Sequence, residues 1–400
     1  MEGTRADIMA RTGLGRALVN QRLDELRELG LISNGEPAPS TGGRAPRTFR
    51  FNARAGRILA ADLGATGVDV ALTDLSGNLR ARRREDTDVR DGPEQVLASI
   101  CALFDEVLTE VPGPEPLWGV GLGVPGPVDF AAGRAVAPPI MPGWANYPIG
   151  ETVAARYDAP VWVDNDVNVQ MLGELHAGAA LGYDDAMLVK LGTGIGSAIV
   201  IGGRLCRGSL GSAGDVGHAP LRPDSPVVCR CGKTGCLEAL AGGLALAREG
   251  AALAAAGNEM LAERTRRREG RAIDATDVLW AAAHGDQQSV DLVGRCGSMV
   301  GEMLASAVHL LNPALILLGG RVVADASDVL LASIRQAVYA LSLPFATRQL
   351  EIRTTQLGAD GGVIGAAMMV VDGLLAPGRL RAWLAEGSPS GLPQLAALPG

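Results

Sequence analysis

The feature that most restricts the fold of this chain is a unit that occurs twice. Ile58 to Asp74 reads as an apolar strand, a turn Leu63-Gly64-Ala65-Thr66-Gly67 and a second apolar strand. Met187 to Ile201 repeats the plan around Leu191-Gly192-Thr193-Gly194-Ile195-Gly196, roughly 130 residues further on. The spacing predicts two related α/β lobes that face each other across a cleft. Glycine at such a turn lets backbone N–H groups approach a phosphate, and a threonine hydroxyl adds a donor. A third pair, Gly319-Gly320, ends the apolar run Ala314 to Leu318 after a helical stretch of about Ser289 to Leu311. It fits either a close approach to a nucleotide or helix, or a plain turn.

The chain carries 54 glycines in 400 residues, which suits many tight turns. No run of about 18 apolar residues marks a membrane span, and the first residues form no apolar leader, so a cytoplasmic chain without membrane partners is expected. The net charge of −8 argues against a protein that coats nucleic acid along its length. Residues 1–52 nevertheless carry +2 and the remainder −10, a pattern that suits a local DNA contact on an acidic body.

That head has its own signals. Thr4 and Asp7 make a capping box for a helix that ends at Gly13. Val19, Leu23, Leu26 and Leu29 then give a second helix one apolar face, and Gly30 is placed to end it. Two helices joined by a glycine-containing turn suggest a helix-turn-helix. Arg16, Asn20, Gln21 and Arg22 lie off the apolar face and are of the types that read bases or phosphates. Leu31-Ile32-Ser33 and Thr48-Phe49-Arg50-Phe51, joined through Gly42-Gly43-Arg44-Ala45-Pro46-Arg47, suggest a wing whose Arg44 and Arg47 reach the DNA backbone or minor groove. A helical hairpin with a basic linker is the other reading. A three-helix core would need a helix before Thr4, so the head is expected to be incomplete or to start upstream.

In the body, the strand Pro160 to Val163 ends in Asp164-Asn165-Asp166-Val167-Asn168, and a helix is expected to Ala180. Polar groups at a strand's C-terminal end are where α/β folds bind ligands, and a carboxylate there could take a proton from a sugar hydroxyl. An Asx turn with a helix cap accounts for the same residues. His218, Cys229, Cys231 and Cys236 fall within nineteen positions, a donor set that suits a four-coordinate structural zinc, with free thiols or a disulfide as alternatives. Such a clip would fix both His218 and Glu238.

Together these segments resemble the ROK (repressor, ORF, kinase) family from about residue 57 to 375. The resemblance rests on Gly123-Val124-Pro125-Gly126-Pro127-Val128-Asp129, Asn165-Asp166-x-Asn168, Gly192-Thr193-Gly194-x-Gly196, Gly214-Asp215-Val216-Gly217-His218 and Cys229-x-Cys231-Gly232-x-x-Gly235-Cys236-x-Glu238. It implies a sugar-kinase-like (ribonuclease H-like) body in two lobes, with a winged head as in the repressor branch. It further implies Asp166 as the kinases' catalytic base, and Asn165, Asp166, Asp215, His218, Glu238 and the Gly126 turn as sugar-binding positions. Gly64, Thr66, Gly192, Thr193, Gly194, Gly319 and Gly320 match nucleotide positions. Three departures from the kinases stand out: Ala65 replaces a glycine, Gly67 a basic residue and Asp215 a glutamate. The expectation is a sugar-responsive regulator, in two-fold dimers or tetramers on operator DNA, with structural zinc and a sugar or sugar phosphate as ligand. An ATP/Mg2+-dependent sugar kinase is the alternative. Residues 376–400, with four prolines, are expected to form a loose tail.

Overall fold

The computed structural model describes residues 2–36, 47–136, 141–267, 271–325 and 328–398. The head comprises β1 (Glu2–Thr4), α1 (Arg5–Thr12), α2 (Arg16–Glu28), β2 (Ile32–Asn34) and β3 (Thr48–Phe51), with β3 between β1 and β2 in one antiparallel sheet. Thr4 and Asp7 form the capping box, and Gly13 ends α1 in the left-handed region at φ 68°. Strand β1 was not legible: three residues without alternation carry no period, and only pairing with β3 defines them.

The first lobe runs β4 (Arg57–Leu63), β5 (Val68–Asp74), β6 (Leu79–Glu85), α3 (Pro93–Glu110), β7 (Leu117–Val124), the short pair β8 (Val128–Asp129) and β9 (Arg134–Ala135), α4 (Ile149–Tyr157) and β10 (Val161–Asn165). Its sheet order is β10-β7-β4-β5-β6. Helix α5 (Asp166–Ala177) leads out of it. The second lobe runs β11 (Ala186–Leu191), β12 (Ile195–Ile201), β13 (Arg204–Cys206), α6 (Leu237–Ala241), α7 (Gly243–Ala255), α8 (Glu259–Arg267), α9 (Ala275–Ala283), α10 (Gln287–Leu311), β14 (Leu315–Gly319), α11 (Arg321–Asp325), α12 (Asp328–Leu341) and β15 (Glu351–Thr354). Its order, β13-β12-β11-β14-β15, is the same wiring. In each sheet the first three strands are antiparallel and the last two join in parallel. The duplication read from two glycine turns therefore extends to whole sheets.

Helix α13 (Asp360–Leu375) follows β15 as α5 follows β10, and the two helices cross between the sheets. The crossing is built on glycine. A Cβ on Gly173 would lie 2.2 Å from Gly361 O, and one on Gly365 would lie 1.6 Å from Val169 O. Backbones this close leave no room for any side chain.

The tail expectation is corrected. Helix α14 (Pro377–Leu384) and a 3-10 turn at Pro393–Ala397 fold back onto the first lobe. Trp383 is fully buried beside Trp118, its Nε1 donating to Leu374 O at 2.9 Å, and Leu395 is buried nearby. Ser390 Oγ donates to Leu117 O and Gly391 N to Asp158 O. The prolines punctuate short packed elements instead of preventing them.

The apolar face of α2 divides. Val19 and Leu23 close a small head core with Phe49. Leu26, Leu29, Leu31 and Phe51 instead join a body cluster with Trp118, Trp162, Trp383 and much of α13. Asn52 ties the junction by donating from its backbone N to Leu31 O and from Nδ2 to Gly30 O. The head is thus seated in the body's core.

Candidate functional site

Between the lobes lies a cleft of about 860 Å3. Both repeated turns line it, the first with Gly64, Ala65, Thr66 and Gly67, the second with Gly192, Thr193 and Gly194. The N–H groups of Gly64 and Gly192 are spent inside these turns, donating to Gly67 O and Gly194 O at 2.8 and 2.9 Å. Gly126, Asn165, Asp166, Asp215, His218 and Glu238 line the same cleft. Gly319 and Gly320 do not; the wall there is made by Arg321 and Val322. Gly320, at φ 89°, presses its Cα toward Leu191 O, where a Cβ would lie at 2.4 Å. Its close approach is to the end of β11, the first strand of the second hairpin.

Asn165 serves as the helix cap that the Asx reading describes. Its side-chain oxygen accepts from Val167 N and Asn168 N, and its Nδ2 donates to Gly126 O (2.9 Å) and Asp166 Oδ1 (3.2 Å). Helix α5 consequently starts at Asp166, two residues earlier than expected, and presents that carboxylate to the cleft. Beneath it, buried Asp164 accepts from Arg207 Nε at 2.7 Å, and the Arg207 guanidinium lies over the Phe130 ring at 3.8 Å.

Sequence reasoning missed Lys190 on β11. Its Nζ lies 2.8 Å from Asp166 Oδ2. Burial works against its charge, but the carboxylates of Asp166, Asp62 and Asp69 outweigh burial and hold the ammonium above its ordinary range. Asp62, at the end of β4, is pushed up to about 6, chiefly by burial and against the pull of Lys190. The signal was a lysine in an otherwise apolar strand, but its partner comes from another element and could not be read locally.

On the second-lobe side, Glu238 accepts from Ile195 N at 3.1 Å and from Arg230 Nη2 at 3.4 Å. Burial pushes the Asp215 carboxyl up; His218 opposes this and Glu238 adds to it. Gly214, at φ 93°, lets the Asp215 segment lie against Ser197, whose carbonyl oxygen a Cβ would meet at 2.3 Å.

His218, Cys229, Cys231 and Cys236 bring one donor atom each within 4.8 Å of one another, a cluster able to hold a metal ion. The Cys231 and Cys236 sulfurs are 3.7 Å apart, so no disulfide joins them. His218 Nδ1 faces Cys229 Sγ at 3.4 Å. Cys231 also lines the cleft, whereas Cys229 and Cys236 are buried behind it.

In the head, Arg16, Gln21, Arg22 and Arg47 are exposed, while Asn20 is half-buried with its Oδ1 facing inward. Gln21 and Arg22 both donate to Glu25, at 2.9 and 2.6 Å. Arg44 and the other wing-tip residues before Arg47 lie outside the described residues.

A bilobal α/β body with a cleft between duplicated sheets, joined to a small helical and β-hairpin head, defines the class: a sugar-kinase-like fold with an N-terminal appendage. The chain belongs to the ROK family, whose model matches residues 58–372. A glucokinase of Halalkalibacterium halodurans is 32% identical over 77% of this chain and 93% of its own length. A putative xylose repressor of Caldicellulosiruptor sp. is 28% identical over 93% of this chain and 92% of its own. The crystal structure of a ROK family transcriptional regulator, a homologue of the E. coli MLC protein, superposes with TM-score 0.78 at 24% identity over 99% of this chain and 94% of its own. A ROK family glucokinase from Streptomyces griseus, solved with glucose and AMPPNP, gives 0.70 at 30% identity over 78% and 99%. The glucokinases match the body; the repressors match head and body together.

Proposed function

We propose that the chain is a sugar-responsive transcriptional regulator whose body binds a sugar and whose head binds operator DNA. The observation that carries this reading is the junction: Leu26, Leu29, Leu31 and Phe51 of the head share a core with α13, and α13 crosses the helix that begins at Asp166. A head seated in this way feels any shift of the sugar-site helix, because packed backbones at a glycine crossing cannot slide independently.

In this reading Asn165 and Asp166 take sugar hydroxyls from one side of the cleft, and Asp215, His218 and Glu238 from the other. Zinc on His218, Cys229, Cys231 and Cys236 supplies structural clipping. Tetrahedral Zn–S and Zn–N bonds of about 2.3 and 2.0 Å place sulfurs ~3.8 Å apart and a sulfur and nitrogen ~3.5 Å apart. The separations of 3.7 Å and 3.4 Å fit that set. With Nδ1 toward the metal, His218 Nε2 is left to meet the sugar. A second reading, an ATP-dependent sugar kinase, is favoured by the cleft position of Asp166 together with the similarity to glucokinases.

One helix-turn-helix reads a single half-site, so a two-fold homodimer or tetramer on a pseudo-palindrome is expected. Selection from a random duplex pool should enrich such a site, and Arg22→Ala should weaken binding to it. Arg47→Ala should weaken binding at all sequences alike and flatten the salt slope by ~1. A pool that yields no sequence bound above the non-specific background defeats the regulator reading.

A further inference from the structure

We propose that Lys190 is a built-in counter-ion that takes the place of a divalent metal in the cleft, so that sugar is bound without metal or nucleotide phosphate. This deepens the regulator reading and rests on it. Phosphoryl transfer needs a metal ion held by carboxylates beside the phosphate turns. The carboxylates so placed here are Asp62 at the end of β4, Asp69 on β5 and Asp166 at the start of α5, all lining the cleft with Gly64, Thr66, Gly192 and Thr193. Into this set β11 inserts an ammonium, 2.8 Å from Asp166 Oδ2.

Three observations make Lys190 the occupant. Asp166 is already used on both oxygens, Oδ2 by Lys190 and Oδ1 by Asn165 Nδ2. An oxygen receiving an ammonium is a poor place for Mg2+, which demands near-octahedral ligands at about 2.0–2.1 Å and would meet a like charge there. Asp69 is committed elsewhere, to Arg82 at 2.6 Å and Arg84 at 3.7 Å. Asp62 has a buried oxygen with no hydrogen-bond partner among the described residues, and its carboxylate sits in the room that Gly362 leaves, where a Cβ would lie 2.0 Å from Asp62 Oδ2. Lys190, supplied from the opposite lobe, pairs with Asp166 and is also the positive charge that acts most strongly on Asp62. A sugar hydroxyl can still donate to Asp166, while a proton passed from it would go to an oxygen that an ammonium already occupies. The residues present do not fit Mg2+-ATP, and that misfit is what Lys190 creates.

The test is a Mn2+ titration of the zinc-loaded full chain, followed by electron paramagnetic resonance and calorimetry. Wild type and Lys190→Arg are expected to show no site in the cleft. Lys190→Met is expected to gain one Mn2+ site at least about tenfold tighter than anything in the wild type. Adding Asp62→Asn to Lys190→Met should remove it again. If Lys190→Met is not recovered folded, Lys190→Gln serves, since it keeps a donor to Asp166 without the charge. A folded neutral variant with no gained site overturns the proposal. So does a wild type that binds Mn2+ as tightly, or a gained site that survives Asp62→Asn. Each of these outcomes is read from metal alone and leaves the sugar effect on operator binding to be judged separately.

Discussion

The purified chain carries about one zinc per molecule, and replacing Cys229 by alanine lowers sugar affinity roughly 10–100-fold without touching a sugar contact; both are expected results. Of the proposed ligands Cys229 is the informative one because it is buried behind the cleft wall, whereas Cys231 lines the cleft and its loss would mix two effects. The segment from Arg207 to Cys236 has little regular structure apart from a 3-10 turn at Val216–His218 and isolated bridges such as Pro220–Cys236 and Val228–Thr234. What it must do is hold Asp215, His218 and Glu238 on one wall. A metal clip removes freedom from the unliganded loop, so less is lost on binding. If His218 both holds the metal and meets the sugar, His218→Ala should abolish detectable sugar binding. Metal analysis of the wild type, with thermal shift in a sugar panel for both variants, checks this. Protein lacking stoichiometric zinc yet binding sugar with the thiols free would remove the clip from the account.

The second large effect concerns the C-terminal segment. Trp383→Ala should destabilise the chain by roughly 3–5 kcal/mol, the range for truncating a buried aromatic. It would leave a cavity against Trp118 and an unanswered carbonyl at Leu374. Because the same cluster seats Leu31 of the head, operator binding should weaken in parallel, although Trp383 faces no DNA. Chemical denaturation followed by tryptophan fluorescence and a binding isotherm on the selected operator decide the matter. A loss near zero would mean that the segment is as loose as its prolines suggest.

Much of the body was legible because local chemistry there agrees with the global fold. Gly13 and Asn312 end their helices where side-chain pattern stops, both with positive φ. The two glycine turns announced two sheets of identical wiring, and the histidine and cysteines converge as their spacing implied. What escaped depends on partners distant in sequence. Lys190 looks like an interruption of an apolar strand until Asp166 arrives from α5. Leu26 and Leu29 continue the period of Val19 and Leu23, yet they bury against the body, because periodicity gives a face and not the neighbour that covers it. Gly173, Gly361 and Gly365 show no pattern of their own; only the crossing of α5 on α13 requires them. Trp383 and Leu395 were hidden by prolines between them, which set turns but leave large apolar groups free to anchor.

Communication between sugar and DNA is the central claim. Asn165 and Asp166 come from the junction of β10 and α5, and Asp215, His218 and Glu238 from the second-lobe segment after β13, yet all line one cleft, so a bound sugar would favour the conformation in which both segments reach it. The helix beginning at Asp166 would carry that preference through α13 to the head, altering how two heads in a dimer span two half-sites. The direct measurement is fluorescence anisotropy of the selected operator duplex against a panel of sugars and sugar phosphates, with and without ATP. A sugar alone should change operator affinity by roughly 5–150-fold, the usual span of allosteric coupling. Asp166→Asn should retain part of that response, since an amide still hydrogen-bonds a hydroxyl, and His218→Ala should have none. A response that requires both ATP and an intact Asp166 would contradict the account and make the chain a working kinase.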